Sequence, residues 1–254
     1  QWIQRLHTCG FVSSCFLPDD LTQTLRTLVR QRRSLTQDST RSILRMQKAM
    51  KMMNIKLHAV ISNITGKTGT RIVEAIISGE RNPENFLQFV DGRIKADHQT
   101  ILKSLQANWR SEQLFLLEQA SRRHLFIQQE IQRIDQPIEL ALQTFAAAKN
   151  EGVIEPVSSQ NKKRKTSNHL PFNTSEYLKN IHGVDVLEIY GISEIGALEI
   201  LAETGTHLEK WPTEKHFVSW LNLCPNNKLS GGKLISSHML KKSREKLYSR
   251  TNLT

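Results

Sequence analysis

Near the C-terminal end, "LCPNNKLSGGKLISSH" (Leu223 to His238) interrupts a helix-rich pattern and leaves one hydroxyl, Ser230, between flexible backbone and a cation. A serine oxygen is a nucleophile once its proton can leave. The next residues, Gly231 and Gly232, remove side chains that would keep a reacting group away, and Lys233 can neutralise negative charge on it. Taken alone, Ser-Gly-Gly-Lys is also an ordinary turn. The other chemistry-bearing residues are sparse. Cys9, Cys15 and Cys224 form no CxxC pair and have no matched histidine spacing, so reduced thiols fit them better than a zinc site or a disulfide framework. No Asp/Glu/His grouping has the pattern of a divalent-metal site, so no metal ligand is assigned.

The charge balance names the class of partner. In 254 residues, 35 Lys and Arg face 24 Asp and Glu, a net charge of +11. Such an excess favours a polyanion through counterion release, with nucleic acid the first candidate and a membrane surface the second. No apolar run reaches the roughly 18 residues needed to span a bilayer, and "QWIQRLHTCG" lacks the apolar core of a signal peptide, so a cytoplasmic setting is expected. The sequence opens in mid-pattern without an initiator Met and reads as a fragment whose upstream part is missing.

With 38% hydrophobic residues but only 12 Gly and 7 Pro, the composition predicts an all-α protein. Residues 1–96 form a basic helical region. Its long helix starts at Pro18, Asp19 and Asp20, where carboxylates complement the helix dipole, and runs to about Met53. Arg26, Arg30, Arg33, Gln37, Arg41, Arg45 and Lys48 share one side, whereas Leu21, Leu25, Leu28, Leu35, Ile43, Met46, Met50 and Met53 share the other. The basic side is either a solvated face or a rail for nucleic acid. Because Asp20 and Asp38 are the helix's only acids, the rail is the reading preferred. Gly66 and Gly69 then break a short helical pattern that Arg71 to Ser78 resumes, and Asn82-Pro83 starts another helix as cap and first residue.

Residues 97–150 carry one or two helices with a heptad seam of Leu117, Ala120, His124, Ile127, Ile131, Ile134, Ile138, Ala141 and Phe145. Either the chain's own helices or a second copy could fill this seam, and the expectation is a homo-oligomer formed through the coiled coil. Pro137 should bend the helix or be accommodated locally. Residues 151–174 form a linker whose Lys162, Lys163, Arg164 and Lys165 suit either an import signal or contact with nucleic acid.

Residues 175–254 form a compact C-terminal domain. "TSEYLKNIHGVDVLEIYGISEIGALEILAETG" reads as helix, tight turn, helix, with Gly191 and Ile192 at the bend. It is similar to a helix-hairpin-helix, although Tyr190 and Ser193 stand where Pro and Gly are usual, and a plain αα-hairpin explains the same residues. "WPTEKHFVSWLNLCP" adds a helix with Pro212 in its first turn.

The ordered set "GISEIGALEILAETG", "FVSWLNLCPNNKLSGGK" and "ISSHMLKKSREKL" resembles the C-terminal domain of the insertion-sequence one-hundred-and-ten family of transposases, close to its eleven-eleven subgroup. Upstream, "FLPDDLTQTLRTLVRQRRSL", "RMQKAMKMMNIKL" and "VISNITGKTG" resemble that family's central helices. The resemblance implies a bacterial, nucleoid-associated DNA recombinase with two halves. One is a resolvase-like N-terminal domain that binds magnesium through carboxylates and lies upstream of this sequence; the other carries a nucleophilic serine, which maps to Ser230. It further implies a structured noncoding guide RNA and assembly through the coiled coil. This chain alone is then expected to bind nucleic acid without cutting it. Two readings from other classes stay open: a non-catalytic nucleic-acid-binding or scaffold relic, and a basic coiled-coil partner for acidic proteins.

Overall fold

The computed structural model describes residues 2–11, 18–149, 169–221 and 227–237; Cys15, Cys224 and Lys162 to Lys165 lie outside them. Among the described residues the chain is all-α apart from one short hairpin. The helices are α1 (Trp2–Thr8), α2 (Asp20–Met52), α3 (Lys67–Ile77), α4 (His98–Ser104), α5 (Ser111–Lys149), α6 (Thr174–His182), α7 (Glu194–Thr204) and α8 (Glu214–Trp220), followed by strands β1 (Lys228–Ser230) and β2 (Lys233–Ser236). The chain gathers into two compact units, one of Gln1–Arg30 and Asp135–Thr254, the other of Gln31–Ile134. Helices α2 and α5 each contribute residues to both.

The unit of residues 31–134 is built on the apolar stripe of α2. Met46, Met50 and Met53 pack with Ile55, Leu57, Ile72, Ile76, Phe86, Ile101 and Leu117 in one buried cluster. Backbone bonds close it: Lys56 N–H donates to Ser104 O at 2.8 Å and Asn108 N–H to Met53 O at 2.9 Å. Gly69 does not interrupt a helix here. It lies buried inside α3, where a Cβ would overlap the Ile64 backbone, so its bare Cα permits close chain packing. Asn82 and Pro83 do start a helical segment, with Asn82 Oδ1 accepting from Glu84 N–H at 3.1 Å, but it is a 3-10 helix over Pro83–Phe89. Arg81 reaches back to the Ile76 carbonyl at 2.7 Å and lies 4.5 Å from the Trp109 ring centre, tying the end of α3 to the approach to α5.

The buried stripe of α2 also carries polar residues that its hydrophobic pattern does not show: Arg32, Ser39 and Ser42 are all buried. Ser39 Oγ lies 3.1 Å from His124 Nδ1 and accepts from Gln128 Nε2 at 2.9 Å. Burial pushes the His124 imidazole below its ordinary value. His124 is thus a polar seam residue held within this unit. The heptad positions on either side of it are used inside the chain: Leu117, Ala120, Ile127, Ile138, Ala141 and Phe145 are all buried. Ile131 and Ile134, further along the same seam, are only half-buried. Helix α5 runs through Pro137 without ending.

In the other unit, residues 169–174 are packed rather than open, with Leu170 and Phe172 buried and Phe172 edge-on to Tyr177 at 6.1 Å. Tyr177 Oη donates to Glu139 Oε1 and accepts from Gln143 Nε2, both at 3.3 Å. The connection from α6 to α7 is longer than a tight turn: α6 stops at Gly183, which takes φ 75°, and a 3-10 turn (Val186–Glu188) precedes Gly191. Ser193 caps α7 by accepting from Gly196 N–H at 3.1 Å, and Thr213 caps α8, so that Pro212 precedes that helix instead of lying in its first turn. A small aromatic group closes this region, with the Trp211 ring 5.0 Å from Phe217 and 4.9 Å from Trp220.

Candidate functional site

The Ser-Gly-Gly-Lys stretch is the tip of an antiparallel β-hairpin, in which Ser230 pairs with Lys233 and Leu229 with Leu234. Gly231 and Gly232 form its two-residue turn with φ of 55° and 75°. Left-handed φ at both central positions is the pattern of the type I′ turn, which matches the right-handed twist of the strands and which side-chain-bearing residues adopt only with strain. Directly opposed residues share a face of a sheet, so Ser230 and Lys233 project to the same side, with Cβ atoms about 5 Å apart. Leu229 and Leu234 take the other side, and the period of two along β1 itself returns Lys228 to the side of Ser230, although the pairing slips between Lys228 and Leu229 so that Lys228 stands opposite Ser236. All of these residues are exposed. Sequence reasoning missed Lys228, because treating the stretch only as a turn hid the strand alternation.

The hydroxyl of Ser230 is therefore open to solvent, flanked by one ammonium across the hairpin and another along the strand. An anionic electrophile can reach it from outside without moving packed side chains, and the two lysines lower the cost of holding that charge there. Among the described residues no group of three or more His, Cys, Asp or Glu side chains is arranged to hold a metal ion.

The structure divides the basic stripe of α2 into residues with different surroundings. Arg30 Nε and Nη2 donate to Glu203 Oε1 and Oε2 at 2.8 and 3.0 Å. Arg26 Nε donates to the Ala202 carbonyl at 3.2 Å, its Nη2 to the Glu203 carbonyl at 2.7 Å, and its Nε lies 3.3 Å from the Glu203 carboxylate. These two arginines satisfy carbonyls that the end of α7 would otherwise leave unpaired and neutralise its last acid. Arg33 is half-buried. Arg41 donates to Asp38 Oδ1 at 2.9 Å on an exposed surface.

Arg45 and Lys48 are placed otherwise. Within the unit of residues 31–134 they line an open hollow of ≈ 700 Å³ with Arg123, Gln113 and Gln119, over a floor of Ala49, Met52, Leu116 and Ala120. No carboxylate lines it, and none of its three cations is paired with a described acid. Neither Arg123 nor the two glutamines is a site residue by sequence. Helix α5 reads as a seam helix, and only its packing shows that Arg123 belongs beside Arg45 and Lys48. The stripe is thus part internal tether and part open cationic hollow.

Fold and sites together define a mostly helical, basic protein with an exposed serine-bearing hairpin. Residues 185–249 match the family described as Transposase IS116/IS110/IS902. The matched span runs from the turn before α7 through the hairpin that carries Ser230, and it supports the transposase family level and a DNA-recombinase kind of enzyme. No curated protein and no solved structure matches the chain. No helix among the described residues is long and apolar enough to cross a membrane.

Proposed function

We propose that this chain is the strand-joining part of a transposase, with Ser230 as the nucleophile. The observation that carries the reading is the family match spanning a hairpin whose serine is exposed at the turn beside Lys233 and Lys228. In the proposed step the Ser230 oxygen forms a bond to a backbone phosphorus of DNA while the bond from that phosphorus to one strand oxygen breaks. The proton lost by the serine balances the one gained by the released strand hydroxyl. The phosphoserine ester conserves the bond energy, so a new strand end can displace the serine and rejoin the backbone. Gly231 and Gly232 keep the approach clear, and the lysines neutralise the non-bridging oxygens. Magnesium would be bound by a resolvase-like domain and would supply metal-assisted phosphate chemistry. A structured guide RNA, self-association and a nucleoid setting belong to the same proposal.

The test supplies a resolvase-like domain and nicked DNA, then looks for covalent protein–DNA adduct. Ser230→Ala is expected to abolish the adduct while nucleic-acid binding and helix content stay unchanged. Normal adduct in that variant would remove Ser230 from the reaction.

The cationic hollow favours a second reading, a nucleic-acid-binding protein without chemistry of its own. It would bind DNA or RNA through Arg45, Lys48 and Arg123, and would yield no adduct under any combination of domains.

A further inference from the structure

Within the unit of residues 31–134, the hollow between α2 and α5 differs from one end to the other. Asn108 N–H donates to Met53 O, whereas Ser39 stands beside His124, so the two helices run antiparallel. Arg123, next to His124, therefore lies toward the Ser39 end, and Met52, next to Met53, toward the opposite end. Arg45 and Lys48 come between, about 10 and 6 Å before Met52 along the helix. Leu116 lies nearer the Met52 end than Arg123 does. The cations thus gather toward one end and the apolar floor toward the other. Met52 and Leu116 remain 51% and 47% exposed on that floor.

A ligand that uses the whole hollow carries negative charge at one end and an apolar surface with polar edges at the other. Inorganic phosphate would leave the floor in water, and an apolar molecule would make no use of three cations. A nucleotide meets both demands. Its base can lie over Met52 and Leu116 with its edge toward Gln113 and Gln119, whose amides each offer donors and an acceptor. The hollow, at ≈ 700 Å³, is within the roughly 300 to 1,000 Å³ of sites that hold ligands of this size. We propose that it seats one unpaired nucleotide of a single strand, with the base on the floor and the adjoining phosphates on Arg45, Lys48 and Arg123. This assignment rests on the nucleic-acid-binding reading of the hollow and specifies the form of nucleic acid that it takes. In a duplex each base face is covered by its neighbours, so only phosphates could enter and the apolar end would go unused.

Two exposed rings select a strand over a free nucleotide. Phe115 and Phe126 are 62% and 61% exposed. They are about three helical turns apart and therefore lie on one line of α5, with Gln119 of the hollow's wall between them on the same side. The nearby acids Glu118 and Glu130 face Arg122 and Arg133 at 2.6 and 3.8 Å, so their charge is offset locally. Aromatic faces beside a cationic groove are surfaces on which successive unpaired bases stack whatever their sequence. A free nucleotide seated in the hollow would leave both rings in water.

The test compares binding of the full chain to a short labelled single strand and to the duplex of the same sequence across a salt series. At matched salt the single strand should bind about tenfold tighter or more. The double variant Met52→Gln and Leu116→Gln keeps every charge and alters only half-exposed positions. It should lower single-strand affinity about tenfold while duplex affinity, salt slope and circular dichroism stay unchanged. Phe115→Ala should weaken the single strand about fivefold or more and leave the duplex alone. Equal affinity for the two forms, with no effect of the floor variant, would overturn the proposal. A steep salt slope in that case would keep the nucleic-acid-binding reading, whereas binding of neither form would remove both. Displacement of the strand by an equal concentration of free nucleoside monophosphate would also overturn it, because the hollow would then serve a free nucleotide.

Discussion

Arg26 and Arg30 near the start of α2 and Arg45 and Lys48 near its end lie on one stripe of one helix, yet they stand in different chemical surroundings. The first pair is held by Glu203 and by the last carbonyls of α7, so its charge is used inside its own unit. The second pair stands with Arg123 around a hollow that no acid lines. A phosphate backbone can compete for cations of the second kind at little cost. It can reach those of the first kind only by breaking bonds to Glu203 that are more than half shielded from water. A helical stripe of one sign thus shows where cations project, and tertiary acids decide which of them remain available.

The strongest test of this contrast reverses the open set. Replacing Arg45, Lys48 and Arg123 with Glu should lower affinity for DNA or RNA by about two to three decades at moderate salt. It should also flatten the plot of log affinity against log salt by about three units of slope. Filter binding across a salt series reads both, and the melting temperature should not move by more than a degree or so. An unchanged slope would make the hollow a solvated surface. The converse variant, Glu203→Gln, should leave the salt slope alone and cost about 2 kcal/mol of stability, because Arg26 and Arg30 lose their shared carboxylate while Arg30 stays partly screened by water. That loss corresponds to a fall of about 4 to 8 °C in melting temperature. Tighter nucleic-acid binding in Glu203→Gln, with no thermal penalty, would show that the tether competes with the ligand instead of holding the fold.

Local signals carried most of the helices into view. The carboxylates at the start of α2, the cap at Asn82 and the seam of α5 each act through residues two to four positions apart, so their spacing is visible in one dimension. What stayed hidden depends on distant residues. Arg30 and Glu203 are far apart in sequence, and no periodicity of α2 points to a helix end so far downstream. Buried Ser39 reads as a blemish on the apolar stripe until His124 and Gln128 are placed beside it. Gly69 looks like a helix breaker because nothing in its own helix shows the Ile64 backbone packed against it. At Ser230 the turn is legible from two consecutive glycines. That the flanking residues pair as strands, and so set Lys233 directly across from the serine, follows only from the register of the hairpin.

The smallest effect expected concerns how the anchored end of α2 begins, and it separates that end from the open one by pH. Asp19 Oδ1 accepts from Thr22 N–H at 2.7 Å and Oδ2 from the Thr22 hydroxyl at 2.9 Å, so the carboxylate caps the helix. Partial burial works to raise its pKa, but the bonds from the Thr22 N–H and hydroxyl outweigh it and hold the group below its ordinary value. A carboxyl whose folded pKa is depressed adds stability above its unfolded value, near 3.9, and loses it as pH falls through the folded value. Asp19→Ala should therefore destabilise the chain by about 1 kcal/mol at neutral pH, and the gap from the parent should close as the pH is taken below about 4. Asp19→Asn should keep most of the cap and lose the pH dependence. Urea melts at several pH values read both variants. A gap for Asp19→Ala that persists unchanged in acid would mean that the ionised carboxylate is not what starts the helix, and the hold on that end of α2 would rest on Glu203 alone.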